Sequence, residues 1–474
     1  MDVLISFLFF LSLFAAVGIS SYRKSRGTKK DYYLASQDVS PMLVGLSAVA
    51  TNNSGYMFIG VIGYTYATGL ASIWLMLGWI LGDFLGSLWM HKNLREAAKR
   101  SGESSYAGVL ACWQGSRFGN WQKLAGVLSL LFLLAYASAQ LVAGSKALYV
   151  VLDLPIWSGA VIGGVIVAAY CLAGGIRASI WTDAAQSLVM VVAMGLLLYV
   201  ATQSVGGLGA AWQQMGQVEG FLNWYPQDLL LPGLAGGVLF ALSWLFAGIS
   251  VVGQPHVMVR FMALDNAGHM VQARCWYYLW FTIFYFMATG VGMLSRIMLS
   301  DPGSFDAELA LPMMAMELLS PVFVGLILAG IFAATMSTAD SLVLSCSAAI
   351  TSDILPKSTE DTRVLKLATV GITAAAVIWA LSNDQSVFSL VVMSWSALAS
   401  AFAPLLMVLA AGGRPSQKLA ITMSVLGLAT ALIWRWLGWH AHIYEGMPGI
   451  LMGLVVFAVG RLLEREPVTK AVNA

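Results

Sequence analysis

The residues "ATNNSGYMFIG" (50–60) interrupt a strongly apolar stretch of the sequence with two asparagines, a threonine, a serine and a glycine. Such residues are mediocre or poor helix formers, and their side chains compete for backbone hydrogen bonds. Inside a lipid bilayer, unpaired backbone groups are costly unless they face protein, water or an ion. The stretch therefore indicates one of two things: a helix break whose carbonyls bind a cation and whose next half-helix faces an anionic group, or small polar residues that let helices pack closely.

The composition supports a membrane setting for this stretch. Of the 474 residues, 59% are hydrophobic and 10% are charged, against roughly 45–50% and about 25% in soluble domains. This favours a polytopic membrane protein with the lipid bilayer as its surroundings. The net charge of +2 is too small to indicate nucleic-acid binding, so no such partner is expected. The first apolar run is predicted to be a transmembrane helix and not a signal peptide, because its basic residues follow it.

Apolar segments long enough to cross a membrane predict thirteen spans, at about 2–21, 41–66, 71–91, 123–150, 157–176, 183–203, 234–257, 275–298, 316–350, 364–382, 387–411, 419–438 and 447–463. One alternating set of the loops between them carries 22 of the 25 Lys and Arg: Arg23, Lys24, Arg26, Lys29, Lys30, Lys92, Arg95, Lys99, Arg100, Arg117, Lys123, Arg177, Arg260, Arg274, Lys357, Arg363, Lys366, Arg414, Lys418, Arg461, Arg465 and Lys470. This asymmetry predicts an N-terminus outside and a C-terminus in the cytoplasm. No P-loop pattern is present, which argues against ATP as the energy source.

A second interruption lies in the seventh span, "SWLFAGISVVGQPHVMVRF" (243–261). Pro255 removes an amide and disfavours helix at Gln254, so the span contains either a break or a simple proline kink. Interrupted helices in corresponding positions of two halves are typical of inverted-repeat transporters. On that reading the chain is one domain, with an extra helix at 2–21, repeats at 41–203 and 234–411, and two final helices at 419–463.

A third feature is the ninth span, within "AGIFAATMSTADSLVLSCSAAITSDIL" (329–355). Ala334, Ser337, Thr338 and Ser341 recur at helical spacing and share one face, which Asp340 could join. Hydroxyl and carbonyl oxygens suit a hard monovalent cation such as Na⁺. The alternative is that the hydroxyls only hold neighbouring helices together.

Two more carboxylates fall in or near spans. Asp183 opens the sixth span near the cytoplasm, where it would cap a helix or help to bind a cation. Asp83 lies inside the third span without a basic partner, so it should be protonated or face water or a cation. An intramembrane aspartyl protease is an alternative function, because such enzymes use two membrane-embedded aspartates and Asp83, Asp183 and Asp340 lie in or near spans. However, "ILGD" at 80–83 lacks the first glycine of a GxGD motif.

These stretches resemble the sodium:solute symporter family, and within it the proline-transporting members. The resemblance runs through most of the chain, in "SAVATNNSGYMFIG" (47–60), "AYASAQLVAGSKAL" (135–148), "AGGIRASIWTDAAQSLVM" (173–190), "GQPHVMVRFMALD" (253–265) and "AATMSTADSLVLSCSAAITSDIL" (333–355). It implies an all-α protein of the leucine-transporter type, with a 5+5 inverted repeat plus flanking helices. It also implies a position in the bacterial plasma membrane.

The resemblance also implies a set of site residues. A main sodium site would use carbonyls of Ala50, Asn53 and Ala334 and hydroxyls of Ser337 and Thr338. A second cation site would lie at Asp183, Ser337, Asp340 and Ser341. Substrate-binding positions would be Asn52, Ser54, Gly55, Tyr136, Ala247, Val251 and Gln254. The proline-transporting members carry an aspartate at the position of Asn52, and a tryptophan and a tyrosine at those of Ala247 and Val251, so this chain departs from them at three places.

The resemblance thus implies a sodium-coupled symporter and not an enzyme, with Na⁺ as coupling ion and no organic cofactor. The solute would be proline or another amino acid; a different carboxylate, a sialic acid or a sugar stays open. A second alternative is a transporter-derived membrane sensor, which would need a separate partner protein. A monomer suffices for transport, and the sequence does not indicate the oligomeric state.

Overall fold

A computed structural model describes residues 2–24, 26–299, 303–355, 361–382 and 386–463. These residues are mainly helical, with an isolated β-bridge between Val39 and Leu264. The first nine α-helices are α1 (Asp2–Ser21), α2 (Lys29–Leu34), α3 (Pro41–Gly55), α4 (Val61–Thr68), α5 (Ile73–Ser101), α6 (Tyr106–Ala111), α7 (Gly119–Leu152), α8 (Ile156–Ser204) and α9 (Leu208–Gly216). The remaining helices are α10 (Gly233–Ile249), α11 (Pro255–Met262), α12 (Met270–Met298), α13 (Ala310–Leu318), α14 (Pro321–Ala348), α15 (Thr362–Leu381), α16 (Val387–Ala410), α17 (Gln417–Trp436) and α18 (Gly446–Leu463).

Eleven helical segments of the described residues are long and apolar enough to cross a membrane. Two of them, Pro41–Ser101 with 61 residues and Ile156–Ser204 with 49, are far longer than the roughly 20 residues that one crossing needs. The second of these has a non-helical residue at Gly175 (φ 57°, ψ −143°). The protein is therefore all-α and multi-pass, as expected, while the number thirteen stays a prediction.

Of the two interpretations of the stretch 50–60, the structure has the helix break, and it lies at Ser54. This residue ends the regular part of α3 with φ 49° and ψ −178°, and a π-helical turn, Tyr56–Gly60, leads into α4. Such a conformation is disfavoured for a residue with a side chain and costs of order 1–3 kcal/mol. Ser54 is fully buried, so the surrounding packing must hold this backbone in place.

The seventh span contains a true break and not a kink. Helix α10 ends at Ile249, a 3₁₀ turn follows over Ser250–Gly253, and Gln254 is extended (φ −99°, ψ 102°). Pro255 then begins α11 at the first helical position, where its missing amide costs nothing. Both interruptions therefore lie within long apolar segments of the chain.

Helix α5, which follows the first broken segment in the chain, packs closely on α10, which precedes the second break. A Cβ added at Gly82 would lie 1.9 Å from the carbonyl oxygen of Leu245, and one added at Gly248 would lie 2.2 Å from that of Trp79. Only glycine allows helices to approach this closely. On another side, α14 packs against both α3 and α8. Its hydroxyl stripe, formed by Ser337, Thr338 and Ser341, therefore meets the segment just before the first break.

Two sequence expectations were wrong in their local structure. Arg260 was assigned to a loop, but it is fully buried within α11, because Pro255 starts a further helix there. Asp183 was placed at a helix start, but the backbone breaks earlier, at Gly175, and Asp183 lies about two turns inside the following helix. Three of the loop lysines and arginines, Lys357, Arg465 and Lys470, lie outside the described residues.

A buried ion pair ties the segment before α3 to the break in α8. The guanidinium of Arg177 donates to Asp31 Oδ1 at 2.8 Å, and both side chains are nearly inaccessible. Burial raises the pKa of Asp31, but hydrogen bonds from Arg177, the Arg26 amide and Ser36 outweigh it, so the pKa lies below its usual value. This pair anchors α2 beside the main helices.

Candidate functional site

The hydroxyl stripe of α14 meets the carbonyls that precede the break in α3. Ser337 Oγ donates to the Ala50 carbonyl at 3.3 Å and to the Ala334 carbonyl at 3.1 Å. Thr338 Oγ1 donates to the Thr51 carbonyl at 3.0 Å. All of these residues are buried. The structure thus brings two hydroxyls and at least three carbonyls together, an oxygen set of the kind that a hard monovalent cation prefers.

Asn53 lies in the same turn as these carbonyls. Its side chain is 1% exposed, and its Nδ2 has no hydrogen-bond partner among the residues that the structure describes. Its carbonyl, like that of Ser54, accepts from the amide of Tyr56. The five predicted sodium ligands, Ala50, Asn53, Ala334, Ser337 and Thr338, therefore belong to one buried junction between α3 and α14.

The break itself is held from α7. Tyr136 Oη donates to Ser54 Oγ at 3.2 Å, and the amide of Gly55 donates to Gln140 Oε1 at 2.8 Å. A Cβ on Gly55 would lie 2.5 Å from the Thr335 side chain, so only glycine fits there. Three predicted substrate residues, Ser54, Gly55 and Tyr136, thus surround the break, and Gln140 joins them.

The second break contributes two buried polar side chains, those of Gln254 and His256. Gln254 Nε2 donates to the carbonyls of Ser250 at 3.1 Å and Trp395 at 2.8 Å. Its Oε1 has no partner within the described parts of the chain, and neither ring nitrogen of the neighbouring His256 has one. Both side chains are fully buried. Buried polar atoms without partners are rare and mark places where a ligand or water supplies the missing bond.

Trp395 of α16 lies beside these two side chains. Its indole Nε1 donates to the Ala247 carbonyl at 3.1 Å, and its ring lies 6.1 Å from His256 and 6.4 Å from Tyr136, both edge-on. Ala247 and Val251 are themselves fully buried. The small residues of α10 and its 3₁₀ turn thus lie beside a large aromatic ring supplied by another helix.

Next to the junction of α3 and α14 lies a charged network around Arg260. Its Nη2 lies 3.4 Å from Asp183 Oδ2, and both side chains are completely buried. Ser47 accepts from Arg260 Nε at 3.2 Å and donates to Asp183 at 2.6 Å. Ser179 accepts from Arg260 at 2.8 Å, and Ser341 also accepts from this guanidinium. Four segments therefore meet at one arginine: α3, α8, α11 and α14.

Asp340 belongs to the same network. Its Oδ1 accepts from Ser179 at 2.9 Å and from Ser341 at 3.0 Å. Asp183 Oδ1 and Asp340 Oδ2 are buried and have no donor among the described residues. Two carboxylates beside one guanidinium leave a formal surplus of one negative charge if both are ionised. The predicted second-site residues Asp183, Ser337, Asp340 and Ser341 are thus close together, with Arg260 among them.

Asn52 turns away from this network towards α5 and α12. Its Nδ2 donates to Tyr277 Oη at 2.5 Å and lies 3.5 Å from Asp83 Oδ2. Tyr277 Oη and Tyr278 Oη donate to Asp83 at 2.6 Å and 2.9 Å. The side chain predicted to contact substrate thus also contacts the isolated carboxylate of the third span.

A cleft reaches the Arg260 network from the side of α6. Its lining includes Tyr106, Pro255, Arg260, Ser341 and Leu344. Arg260 and Ser341 thus line this cleft and also belong to the charged network.

Sequence reasoning missed four site residues. Gln140 and His256 stand inside stretches that carried the family resemblance, and a buried polar residue there was a usable signal. Arg260 follows His256 by one helical turn between apolar residues, which also marks a buried charge. Trp395 lies in a stretch of small and apolar residues, "SWSALASAF" (394–402), that gives no such signal.

Comparison with known sequences gives consistent relatives. A family model described as the sodium:solute symporter family matches residues 32–412. The chain is 27% identical to the high-affinity proline transporter of Bacillus subtilis (strain 168), over 95% of this chain and 96% of that one. It is 25% identical to the sodium/proline symporter of Escherichia coli (strain K12), over 98% and 94%.

Solved structures share the fold. A Na⁺-coupled sialic acid symporter in a substrate-bound, outward-open state superposes with a TM-score of 0.80 at 18% identity, over 99% of both chains. A nucleobase-cation-symport-1 family transporter in a closed conformation with bromovinylhydantoin bound gives 0.56 at 14%, over 93% of this chain and 96% of that one. At such low identity the likeness concerns the fold alone, which is the leucine-transporter type.

Proposed function

The chain belongs to the sodium:solute symporter family, and from that premise we propose that it couples the inward flow of sodium to the uptake of proline. Its relatives are transporters, and sodium coupling agrees with their family. The observation that carries the proposal is the junction of α3 and α14, where Ser337 and Thr338 meet the carbonyls of Ala50 and Thr51. No catalytic role and no organic cofactor are part of it.

Sodium would bind at this junction through Ala50, Asn53, Ala334, Ser337 and Thr338. These ligands are uncharged, which suits an ion that must bind and leave in each cycle. The Ser337 and Thr338 hydroxyls now donate to carbonyls, and sodium would draw their oxygens and the carbonyl oxygens to itself instead. Binding would therefore order the backbone just before Ser54.

Proline would bind between the two breaks. Gln140 Nε2 is a buried donor without a partner in the described residues, and Gln254 Oε1 is such an acceptor. A zwitterion needs both, donors for its carboxylate and an acceptor for its ammonium group. The rings of Tyr136, Trp395 and His256 would pack against the apolar ring of the solute. Asn52, Ser54, Gly55, Ala247 and Val251 would complete the pocket.

The small residues Ala247 and Val251 are compatible with proline because Trp395 restores bulk beside them. Its indole donates to the Ala247 carbonyl, so the edge of an aromatic ring lies next to one of the positions where the proline-transporting members carry large rings. The site would thus keep its aromatic character while drawing it from α16. A larger solute would require this ring to move.

A second cation would bind at Asp183, Ser337, Asp340 and Ser341. The unpartnered Asp183 Oδ1 and Asp340 Oδ2 support this, because one monovalent cation would balance the surplus negative charge. Arg260 would already neutralise part of the negative charge at this second site. The second site should therefore bind its cation more weakly than the main sodium site binds sodium. Transport of one or two sodium ions per cycle follows from whether this site fills.

In a transport cycle, sodium and proline would bind from outside and the two five-helix repeats, 41–203 and 234–411, would move against each other. Release would use the cleft beside α6, and opening it would require Arg260 to leave Asp183. The protein would lie in a bacterial plasma membrane with its N-terminus outside and its C-terminus in the cytoplasm. One chain contains every proposed ligand.

The test is uptake of radiolabelled proline into proteoliposomes under an inward sodium gradient. The double substitution Ser337→Ala and Thr338→Ala should lower sodium affinity at least tenfold, because it removes two side-chain oxygens. The matched control is Ser347→Ala. Ser347 lies on the same helix but away from the junction, and its hydroxyl is 2.8 Å from the Tyr33 hydroxyl. Full sodium-dependent uptake by the double variant would contradict the proposed sodium site.

A thermal-shift screen separates substrate from mechanism. Proline, other amino acids, sialic acids, sugars and short carboxylates are each compared with and without sodium. Stabilisation by a solute other than proline, dependent on sodium, would keep symport and replace the substrate. Sodium-dependent binding of proline without any uptake would instead favour a membrane sensor.

A further inference from the structure

Asp83 is a buried carboxylate that the proposed sodium and substrate sites do not use. It lies in α5, is completely inaccessible, and accepts hydrogen bonds from Tyr277 at 2.6 Å and Tyr278 at 2.9 Å. No ion pair to it occurs among the described residues. A buried carboxylate that stays ionised without a cation is costly in a membrane interior, so such a group normally carries a proton or binds a cation.

The charged and titratable groups around Asp83 leave it isolated. From α12 these are Tyr277, Tyr278 and Arg274, whose guanidinium donates to the Ser87 carbonyl at 3.3 Å. From α11 they are His256 and Arg260, and Arg260 pairs with Asp183. On α5 itself His91 stacks on Phe261, and Tyr106 of α6 donates to the Val252 carbonyl. Helices α10 and α16 contain no titratable residue.

The geometry favours a proton over a metal ion. Both oxygens of Asp83 already accept from hydroxyl groups, so a metal ion would have to displace these hydrogens. A proton adds to one oxygen without moving a heavy atom, and its O–H group becomes a new donor. Asn52 Oδ1 is buried and lacks a donor in the described parts of the chain. Rotation of the Asn52 amide would place this oxygen towards Asp83 and Tyr277, where protonated Asp83 supplies the missing donor.

Asn52 connects this carboxylate to the proposed sodium site. It stands between Thr51, whose carbonyl accepts from Thr338, and Asn53, a proposed ligand. An ionised Asp83 would favour sodium at the junction, and a neutral one would not. By thermodynamic reciprocity, sodium at the junction would favour loss of the proton.

We propose that Asp83 is a proton-binding site that sodium empties. Without sodium, the carboxyl group carries one proton taken from water; when sodium occupies the junction of α3 and α14, Asp83 releases that proton to water and becomes the carboxylate that Tyr277 and Tyr278 stabilise. This inference rests on the proposed sodium site. In this proposal, protons weaken sodium binding although Asp83 is not a sodium ligand, because the proton and the sodium ion bind at different groups that affect each other.

The experiment measures proton release directly. The purified full-length protein in weakly buffered detergent solution is titrated with NaCl or with KCl, while a pH-indicator dye reports released protons over about pH 5 to 9. Sodium binding is followed separately by tryptophan fluorescence. The wild type should release up to one proton per chain with NaCl and none with KCl. Its sodium affinity should fall about a hundredfold or more from the alkaline to the acidic end of that range, because near-complete release of one proton requires a coupling of that size.

Three variants make the result specific. Asp83→Asn should bind sodium without releasing a proton, and its sodium affinity should not change with pH. Tyr278→Phe removes a donor to the ionised carboxylate, so its maximal release should move to higher pH. The matched control is Asp353→Asn, another buried carboxylate held by neutral donors, Ser105 at 2.6 Å and Gln122 at 2.7 Å; it should release protons as the wild type does.

Several outcomes would overturn the inference. One is proton release that persists in Asp83→Asn and disappears in Asp340→Asn, which would assign the proton to the Arg260 network. Another is a wild type that binds sodium with no release and no dependence on pH. A loss of one bound sodium ion in Asp83→Asn without any proton signal would assign a metal ion to Asp83. Failure of the wild type to bind sodium would remove the proposed sodium site together with this inference.

Discussion

Replacing Arg260 by methionine removes the charge at the centre of the buried network and keeps a long unbranched side chain. The separation of 3.4 Å from Asp183 corresponds to about 5 kcal/mol of attraction at an effective dielectric constant of about 20. Loss of one partner of a buried pair typically costs about 3–5 kcal/mol, because it leaves the other charge uncompensated. We therefore expect the free energy of unfolding of Arg260→Met in KCl to fall by about 3–5 kcal/mol.

Sodium should partly restore this loss. Without Arg260, Asp183 and Asp340 face each other's charge with no cation, so a monovalent ion should bind there more tightly than in the wild type. At a sodium concentration of about one hundred times Kd, binding stabilises the folded state by about 2.7 kcal/mol. Thermal unfolding of the detergent-solubilised protein in NaCl and in KCl at equal ionic strength measures both effects.

Two further variants test the reasoning. Asp183→Asn combined with Arg260→Met removes one of the two uncompensated carboxylates and their mutual repulsion, and should recover part of the stability in KCl. The matched control is Arg177→Met, which also breaks a buried pair, to Asp31 at 2.8 Å, but away from the network. It should lose stability with no added gain from sodium. Wild-type stability of Arg260→Met, or the same sodium gain in Arg177→Met, would refute the account.

Three other outcomes follow from the structure. Ser54→Gly should unfold at a higher temperature than Ser54→Ala, since glycine relieves a backbone strain of about 1–3 kcal/mol while both lose the hydrogen bond to Tyr136; equal melting temperatures would show that the backbone is not strained. Trp395→Leu should raise KM for proline about tenfold with sodium affinity unchanged, because an aromatic contact is worth about 1.5 kcal/mol; an unchanged KM in the uptake assay would place the solute elsewhere. The lowered pKa of Asp31 means that its ion pair with Arg177 stabilises the protein above the unfolded pKa of about 3.9 and is lost as the pH falls through the folded pKa. The melting temperature of Asp31→Asn should thus lie below that of wild type at neutral pH and approach it below about pH 4, whereas a gap that widens in acid would contradict the lowered pKa.

Much of the site could be found from local sequence because polar residues are rare in membrane spans. The low helix propensity of residues 51–55 and the proline at 255 marked two places where a helix break was one of two interpretations, and the structure has a break at both. The helical spacing of Ser337, Thr338 and Ser341 predicted a common face, and that face meets the first break. Each of these conclusions uses only neighbours within a few residues.

The errors arose where the partner of a charge is distant in sequence. Arg260 reads as a loop residue because a basic residue after a proline at a span's end normally reaches water. Its burial depends on Asp183, 77 positions away along the chain. No local pattern reveals such a pairing, and without alignment of related chains nothing else in one sequence does.

The amino-acid sequence by itself determined the class of protein, the approximate spans and the two places where helices are interrupted, because hydrophobicity and backbone propensity act locally. Only the tertiary structure decided what surrounds those interruptions. It brings Trp395 to Ala247, Arg260 between Asp183 and Ser341, and Asp83 to Asn52. These contacts join segments far apart in the chain. Which residues meet depends on how the helices pack, for example on the close approach at Gly82 and Gly248. The stretch 50–60 therefore predicts a break, while the helices around it decide which ions and solutes it can serve.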